Sequence, residues 1–278
     1  MTGSILAHAP ALRLAVFLVI LALVAGWEMI IPRRRRVLTR TRRWPQNLGF
    51  SVVNTLSLRL FLPGAAIGLA TLADVKGWGL FHSVALPFWL AVVLSLLLLD
   101  LTIYLQHVMF HALPLLWRVH RVHHTDMDFD VTTALRFHPV EILLSMLIKL
   151  AVIALLGAPA LAVLVFEIIL NATAMFNHAN ASLPAGIERI ARLVVVTPDF
   201  HRVHHSVLTA ETNSNFGFNA PWWDRLFGTY RAQPAAGHDH MRIGLEDFRD
   251  PAQERLDRLL TQPLIRPTQN LPMPDARP

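Results

Sequence analysis

The sequence predicts an all-α fold: an integral membrane helical bundle of four to five membrane segments, with a cytosolic histidine-rich helical cap. Three observations predict it. Of the 278 residues, 54% are hydrophobic and only 16% charged, whereas about a quarter of an average soluble domain is charged. The apolar residues gather into five long runs, and most of the fourteen histidines sit at the ends of those runs or in the gaps between them.

The first run, 11–31, is long enough to cross a hydrocarbon core of about 30 Å at about 1.5 Å per residue. It stops at Pro32 and the basic residues Arg33 to Arg36. A secretory signal carries its positive charge ahead of the apolar stretch, and here only Arg13 lies on that side, so the run reads as a retained anchor with its N-terminus outside. The second run, 48–73, contains Arg59 and then Pro63-Gly64. A lone intramembrane arginine costs about 2.5 to 3.5 kcal/mol on insertion scales, so Arg59 is expected to face protein or water, or the helix to break there. The third run, 84–106, leads straight into histidines. The fourth and fifth, 140–157 and 160–176, are separated by Ala158-Pro159 and read as a tight helical hairpin.

Basic residues test this order of crossings. The parts assigned to the cytoplasm hold seven Lys or Arg in 32–46 and three in 107–138, against a single Lys76 in the outer loop 74–83 and none in the hairpin turn. The first two counts fall in short loops, where such residues orient segments. The net charge of +6 therefore reads as membrane topology and not as a footprint for nucleic acid. The whole chain, 1–278, reads as one domain whose cap comprises 107–138 and 179–265. Within the cap, Asp250 is expected to cap a short amphipathic helix beginning at Pro251, with Gln253 in a capping-box position and Leu256, Leu259 and Leu260 on one face. Residues 266–278 are expected to be a disordered tail.

The histidine spacing carries the chemistry. His107 and His111 stand at i, i+4; His120, His123 and His124 at i, i+3, i+4; and the same His-Arg-Val-His-His string recurs as His201, His204 and His205. On a helix these offsets put the imidazoles on one face, separated by about one turn, the spacing at which they converge on metal ions. Repeated spacing of this kind has no packing rationale for a partly polar ring. His138, before the fourth run, and His178, at the end of the fifth, are further candidates; for each, a helix cap or an interfacial polar residue is the plainer alternative. Asp100 and Tyr104 form one stripe with His107 and His111, and Glu167 and Asn171 lie on the helical face of His178. A carboxylate inside an apolar helix is costly, and orienting a metal-bound ring is one reason to keep it. For Asp100, pairing with Arg59 is the other.

There is no cysteine, so thiolate zinc sites, iron–sulfur ligation and cysteine nucleophiles are excluded, and any metal uses nitrogen and oxygen ligands. Iron, zinc and copper all accept such a set. Zinc would act only as a Lewis acid or activate water, whereas iron could activate oxygen.

His107-x3-His111, His120-x2-His123-His124 and His201-x2-His204-His205, together with Arg136-Phe-His-Pro139, Asn215-Phe-Gly217 and Trp223-Asp-Arg-Leu-Phe-Gly-Thr-Tyr230, resemble the fatty acid hydroxylase/sterol desaturase superfamily over about residues 85 to 231. Gln106 departs from the pattern, since many members have a His-Arg pair near this position. The resemblance implies a non-haem centre of two iron ions, or zinc in their place, with molecular oxygen as co-substrate and attack on an unactivated lipid C–H bond. By carry-over the eight histidines of the three motifs are ligands, and His138 and His178 are additional ligands or near neighbours. Asn215 and Asp224 are implied as framework with no assigned chemistry. The chain has no dinucleotide fingerprint, no cluster cysteines and no sign of a haem domain, so electrons are expected from a separate ferredoxin-like or cytochrome-like donor on the basic cytoplasmic face, with Arg202 and Arg225 as contacts. The competing readings are a membrane metal transporter, which would place histidines along a path through the spans, and a metal-dependent lipid hydrolase, which lacks His-Glu-x-x-His and Gly-x-Ser-x-Gly here. A cell membrane of bacterial type is the expected location.

Overall fold

A computed structural model describes residues 2–266; the expected tail lies outside the described residues from 267 onward. Among the described residues the chain is helical with no strand, and five helical segments are long and apolar enough to cross a membrane. Helix α1, Ala9–Ile30, begins with Pro10 in its first turn and ends just before Pro32. Large apolar side chains such as Leu14, Leu23, Leu60 and Leu155 point outward, as a lipid-facing surface requires.

The second crossing is broken, as the arginine and proline suggested. Helix α2, Arg40–Phe61, stops at Leu62; Pro63 cannot continue the ladder and Gly64 takes a φ of 64° before α3, Ala65–Lys76, resumes. Arg59 lies in the last turn of α2 with its side chain exposed, and makes no ion pair with Asp100. Helix α2 also starts eight residues earlier than the apolar run. Its polar first turns bury Arg43 and Asn47 against the cap.

Helix α4, Phe88–Ala112, runs six residues past the expected end, so His107 and His111 sit on its final turns and not beyond them. Leu113-Pro114 turns the chain into α5, Pro114–His124. The hairpin is found as expected: α6, Pro139–Leu156, is closed by Gly157 at φ 67°, and α7, Ala160–Asn177, returns. A Cβ on Gly79 would lie 2.2 Å from the Gly157 backbone nitrogen, so only glycines let the outer loop approach this turn.

Buried charges fasten the polar cap to the bundle. Arg43, at 0% exposure, donates to both Asp126 carboxylate oxygens at 2.8 and 2.6 Å and to Asp130 at 2.5 Å. Arg136 donates to the Val122 carbonyl at 2.8 Å and pairs with Glu254. Burial works to raise the Asp126 carboxyl, but the Arg43 and Arg136 guanidiniums hold it down at about 2. One Glu28 oxygen accepts the backbone N–H groups of Val131 and Asn180, both at 2.7 Å. The segment after α5 is thus tied to α1 and α2 at once. Asp250 caps the turn Pro251–Glu254 by accepting from the Ala252 N–H. The helix Leu256–Thr261 then packs Leu256, Leu259 and Leu260 on Phe50 and Val122, so its apolar face covers protein.

Candidate metal centre

Nine buried histidines meet where α4, α5 and α7 end and where α8, Pro198–His204, crosses them. Helix α8 is locally encoded: Thr197 caps it by accepting from the Phe200 N–H at 3.2 Å, and Pro198 fits its first position. The rings fall into two groups. His107, His111, His120, His124 and His204 form one, and His123, His178, His201 and His205 the other; in each, one nitrogen per ring lies within 4.8 Å of all the rest.

Helical geometry explains the division. In the first His-x-x-His-His string the i, i+4 pair His120 and His124 joins the first group, while His123, about 60° round the helix from His120, joins the second. The second string does the reverse. His201 and His205 enter the second group and His204 crosses to the first.

Five of the outer nitrogens are held by partners. The Nδ1–H of His107 donates to the Phe216 carbonyl at 2.8 Å, that of His204 to the Ser214 carbonyl at 2.8 Å, and that of His178 to the Ala174 carbonyl at 2.7 Å. Nδ1 of His120 meets the Glu141 carboxylate at 2.6 Å, and Nδ1 of His111 meets Asn213 Oδ1 at 3.2 Å. These contacts leave lone pairs on the Nε2 atoms facing inward. His107 Nε2 lies 3.2 Å from His120 Nε2, and His178 Nε2 lies 3.1 and 3.2 Å from those of His123 and His201. His204 Nε2 and both nitrogens of His205 are buried without a hydrogen-bond partner. Such spacings suit nitrogens bound about 2.0–2.1 Å from a shared cation.

Electrostatics agree with this. Burial pushes the His123, His124, His201 and His205 rings well below the ordinary histidine range, and neighbouring histidines push them further. Burial likewise brings His204 to about 3 and His178 to about 4. All are neutral near pH 7, as metal ligands must be.

Not every candidate joins the groups. His138 lies outside both: its Nδ1 accepts from the Val140 N–H at 3.2 Å as the N-cap of α6, and its Nε2 meets the Leu260 carbonyl at 3.1 Å. Asp100 accepts from Trp223 Nε1 at 2.8 Å, and the Tyr104 hydroxyl bonds Thr229 Oγ1 at 2.9 Å. These two contacts hold the loop after α8. Glu167 pairs with Lys149 at 2.8 Å and with Arg13, and Asn171 donates to the Glu167 carbonyl at 2.7 Å. These side chains tie α1, α6 and α7 together away from the rings.

Two partners of the rings escaped the sequence. Glu141 is the lone acid of the run 140–157, and that isolation is the signal that could have found it. The loop 213–216 supplies carbonyl and amide acceptors that no residue type announces. Here Asn215 and Asp224 acquire a role. Asn215, at φ 55°, donates through Nδ2 to the Phe200 and Arg231 carbonyls, while Asp224 accepts the Phe216 and Gly217 N–H groups at 2.7 Å. Together they fix the loop whose carbonyls orient His107 and His204. Arg202 is fully buried and pairs with Asp199, so it offers no contact to a docking partner.

Residues 92–229 match the family model described as fatty acid hydroxylase. The chain is similar to the ornithine lipid hydroxylase OlsE of Rhizobium tropici, 28% identical over 84% of this chain and 72% of that protein. It is similar to the alkylglycerol monooxygenase of Danio rerio, 31% identical over 55% of this chain and 34% of that one. It is also similar to the cholesterol 25-hydroxylase of Homo sapiens, 28% identical over 50% and 51%. No solved structure matches the chain. The family match takes in all nine clustered histidines, and the chain belongs to the fatty acid hydroxylase/sterol desaturase superfamily of membrane oxidoreductases.

Proposed function

We propose that the protein hydroxylates a C–H bond of a membrane lipid at a centre of two iron ions held by the nine clustered histidines. The observation that carries this reading is the pair of neutral, inward-facing histidine groups at the membrane-proximal ends of α4 and α7. Iron bound there would supply oxygen activation. Five nitrogen donors in one group and four in the other fit iron, and the nitrogen-only set accepts zinc as well.

The chain's own residues define where a lipid would approach. Phe137 stacks on His123 at 4.4 Å and 13°, and Phe218 lies 5.7 Å from His107, 5.8 Å from His201 and 6.3 Å from His178. The two phenylalanines stand 6.4 Å apart and pack with Leu99, Ile103, Phe166 and Met175. They extend the apolar interior of the bundle to both histidine groups, where a lipid chain could keep its tail in the bilayer. Backbone carbonyls hold Nδ1 of His107, His178 and His204 and so fix the tautomers of those rings.

The basic residues flanking the spans favour a cap on the cytoplasmic side. Insertion of one oxygen atom with release of the other as water consumes two electrons and two protons, so a separate one-electron donor is part of the reading. Transport of a metal would need ligands along a path through the bilayer, and the clustered histidines sit at one end only. The test is lipid mass spectrometry on cells with and without the protein, supplied with isotopically labelled oxygen gas. A lipid gaining one labelled oxygen only when the protein is present is expected; loss of two hydrogens without oxygen would indicate desaturation, and no change in any lipid class would remove the reading.

A further inference from the structure

Between the end of α1 and the start of α2 the chain carries Arg33 to Arg36. This strap is pinned at two places. Asn180, two residues after His178, accepts the Arg33 N–H through its carbonyl at 2.8 Å, accepts the Arg34 N–H through Oδ1 at 3.0 Å, and donates back to the Arg34 carbonyl at 3.0 Å. Asp128 accepts the Val37 and Leu38 N–H groups at 2.7 and 2.8 Å. A run of arginines serving only to orient a helix needs no such fixing.

Under the strap lies a cavity of about 220 Å³ whose lining includes Arg34, Arg35, Asp128, Phe129, Met241 and Arg249. Arg34 donates to the His238 and Met241 carbonyls, and Arg249 to those of Ile243 and Leu245. Carbonyls are neutral, so both guanidiniums keep their charge, and exposed Arg35 adds a third. Asp128 is the acid of the lining; its oxygens are engaged by the Val37 and Leu38 N–H groups, and its one charge is outnumbered by those of Arg34, Arg35 and Arg249. Phe129 closes the floor: its ring stacks on His178 at 5.4 Å and lies 5.0 Å from that of His205. The cavity is positive at its mouth, apolar at its floor, next to the end of a membrane helix and one ring away from the second histidine group.

We propose that this cavity binds the phosphate-bearing head group of a membrane phospholipid, with its anionic oxygens on Arg34, Arg35 and Arg249 and its first apolar carbons against Phe129. Guanidiniums match phosphate oxygens in geometry and charge, and the mixed lining suits an amphiphile. An acidic protein would call for a broad projecting surface and not a small concavity. As the seat of a substrate the cavity rests on the lipid-oxidation reading; as a binding site it does not.

The experiment uses the full-length, metal-free protein in nanodiscs of phosphatidylcholine doped with phosphatidylglycerol, and counts retained lipid by native mass spectrometry. Preferential retention of phosphatidylglycerol is expected, weakened about tenfold by Arg35→Gln or Arg249→Gln, the loss typical of one charge-assisted contact. Arg189→Gln, an equal charge change at an exposed cap position, is expected to leave retention unchanged. Arg35 is exposed and its removal leaves no buried partner, so that variant reads binding and not folding. Equal retention of both lipids, or unchanged retention in both pocket variants, would overturn the proposal. Displacement of the lipid by an equal concentration of inorganic phosphate would also overturn it, by making a free anion the ligand. So would variants that lose binding to an acidic [2Fe–2S] ferredoxin used as a probe while keeping the lipid. Intact retention alongside absent lipid oxidation would count against the proposed reaction and leave the cavity standing.

Discussion

His107 and His120 face each other Nε2 to Nε2 at 3.2 Å. The Phe216 carbonyl holds the proton of one ring on Nδ1, and the Glu141 carboxylate occupies Nδ1 of the other. Two lone pairs at that distance repel, and a cation between them reverses the sign of the interaction. Stripping metal with a chelator is therefore expected to lower the thermal midpoint of the detergent-solubilised protein, and restoring iron or zinc to raise it, since a ligand binding only the folded state stabilises it. An identical midpoint with and without metal would refute a shared cation.

Loss of one ring should be felt by one group first. His204→Ala and His123→Ala are each expected to abolish lipid oxidation and to lower bound metal, the former from the group around His107 and the latter from the group around His178. His8→Ala and His82→Ala, far from both groups, should change neither. His138→Ala is expected to keep the metal and lose about 1 kcal/mol of stability, the usual value of a helix cap. Elemental analysis beside a melting curve separates these outcomes; full metal content in His204→Ala would remove that ring from the ligand set.

Glu141 acts on the centre through His120. Glu141→Ala should weaken metal binding about 10- to 100-fold, the range found for partners that orient metal-bound histidines, and only in the group containing His120. Titration of the metal-free variant would then show one weakened and one unchanged class of site. Uniform weakening would mean that Glu141 supports the fold generally.

The pH dependence follows from buried neutral rings. In the folded protein burial lowers His178 to about 4 and His204 to about 3, against an ordinary value of 6.5. Below 6.5 the unfolded chain binds protons that the folded chain refuses until those lower values are reached. The stability these rings contribute is thus fully present above about 6.5 and is lost as pH falls toward 4 and then 3. Melting of the metal-free protein between pH 7.5 and 4.5 should show a falling midpoint; a flat profile would contradict the burial of neutral histidines.

Within the bundle, Glu167 lies between Lys149 and Arg13. Glu167→Gln leaves the buried ammonium without its counter-ion, and breaking such a pair costs about 3–5 kcal/mol. Reduced folding yield with normal metal content per folded molecule is the expected result. A loss of metal at full yield would return Glu167 to the neighbourhood of His178.

Much of this architecture was legible because it follows from period and composition. The five spans, the break at Pro63 and the hairpin at Ala158-Pro159 are written in runs and breakers, and the eight motif histidines in their offsets. His138 was ambiguous for a physical reason: an imidazole before Pro139 can cap a helix as readily as bind metal, and only the position of the Leu260 carbonyl decides between them. Asp100 and Tyr104 shared a stripe with His107, but helical periodicity says nothing of Trp223 and Thr229, which reach them from more than a hundred residues away. Backbone acceptors such as the Phe216 and Ser214 carbonyls carry no residue signature at all.

The exchange of middle histidines between α5 and α8 has a consequence for assembly. His123 leaves its own string to serve the group dominated by the other, and His204 does the converse. An ion bound in either group would hold α5 and α8 together, so metal at one group alone should already protect backbone amides of both helices from hydrogen exchange.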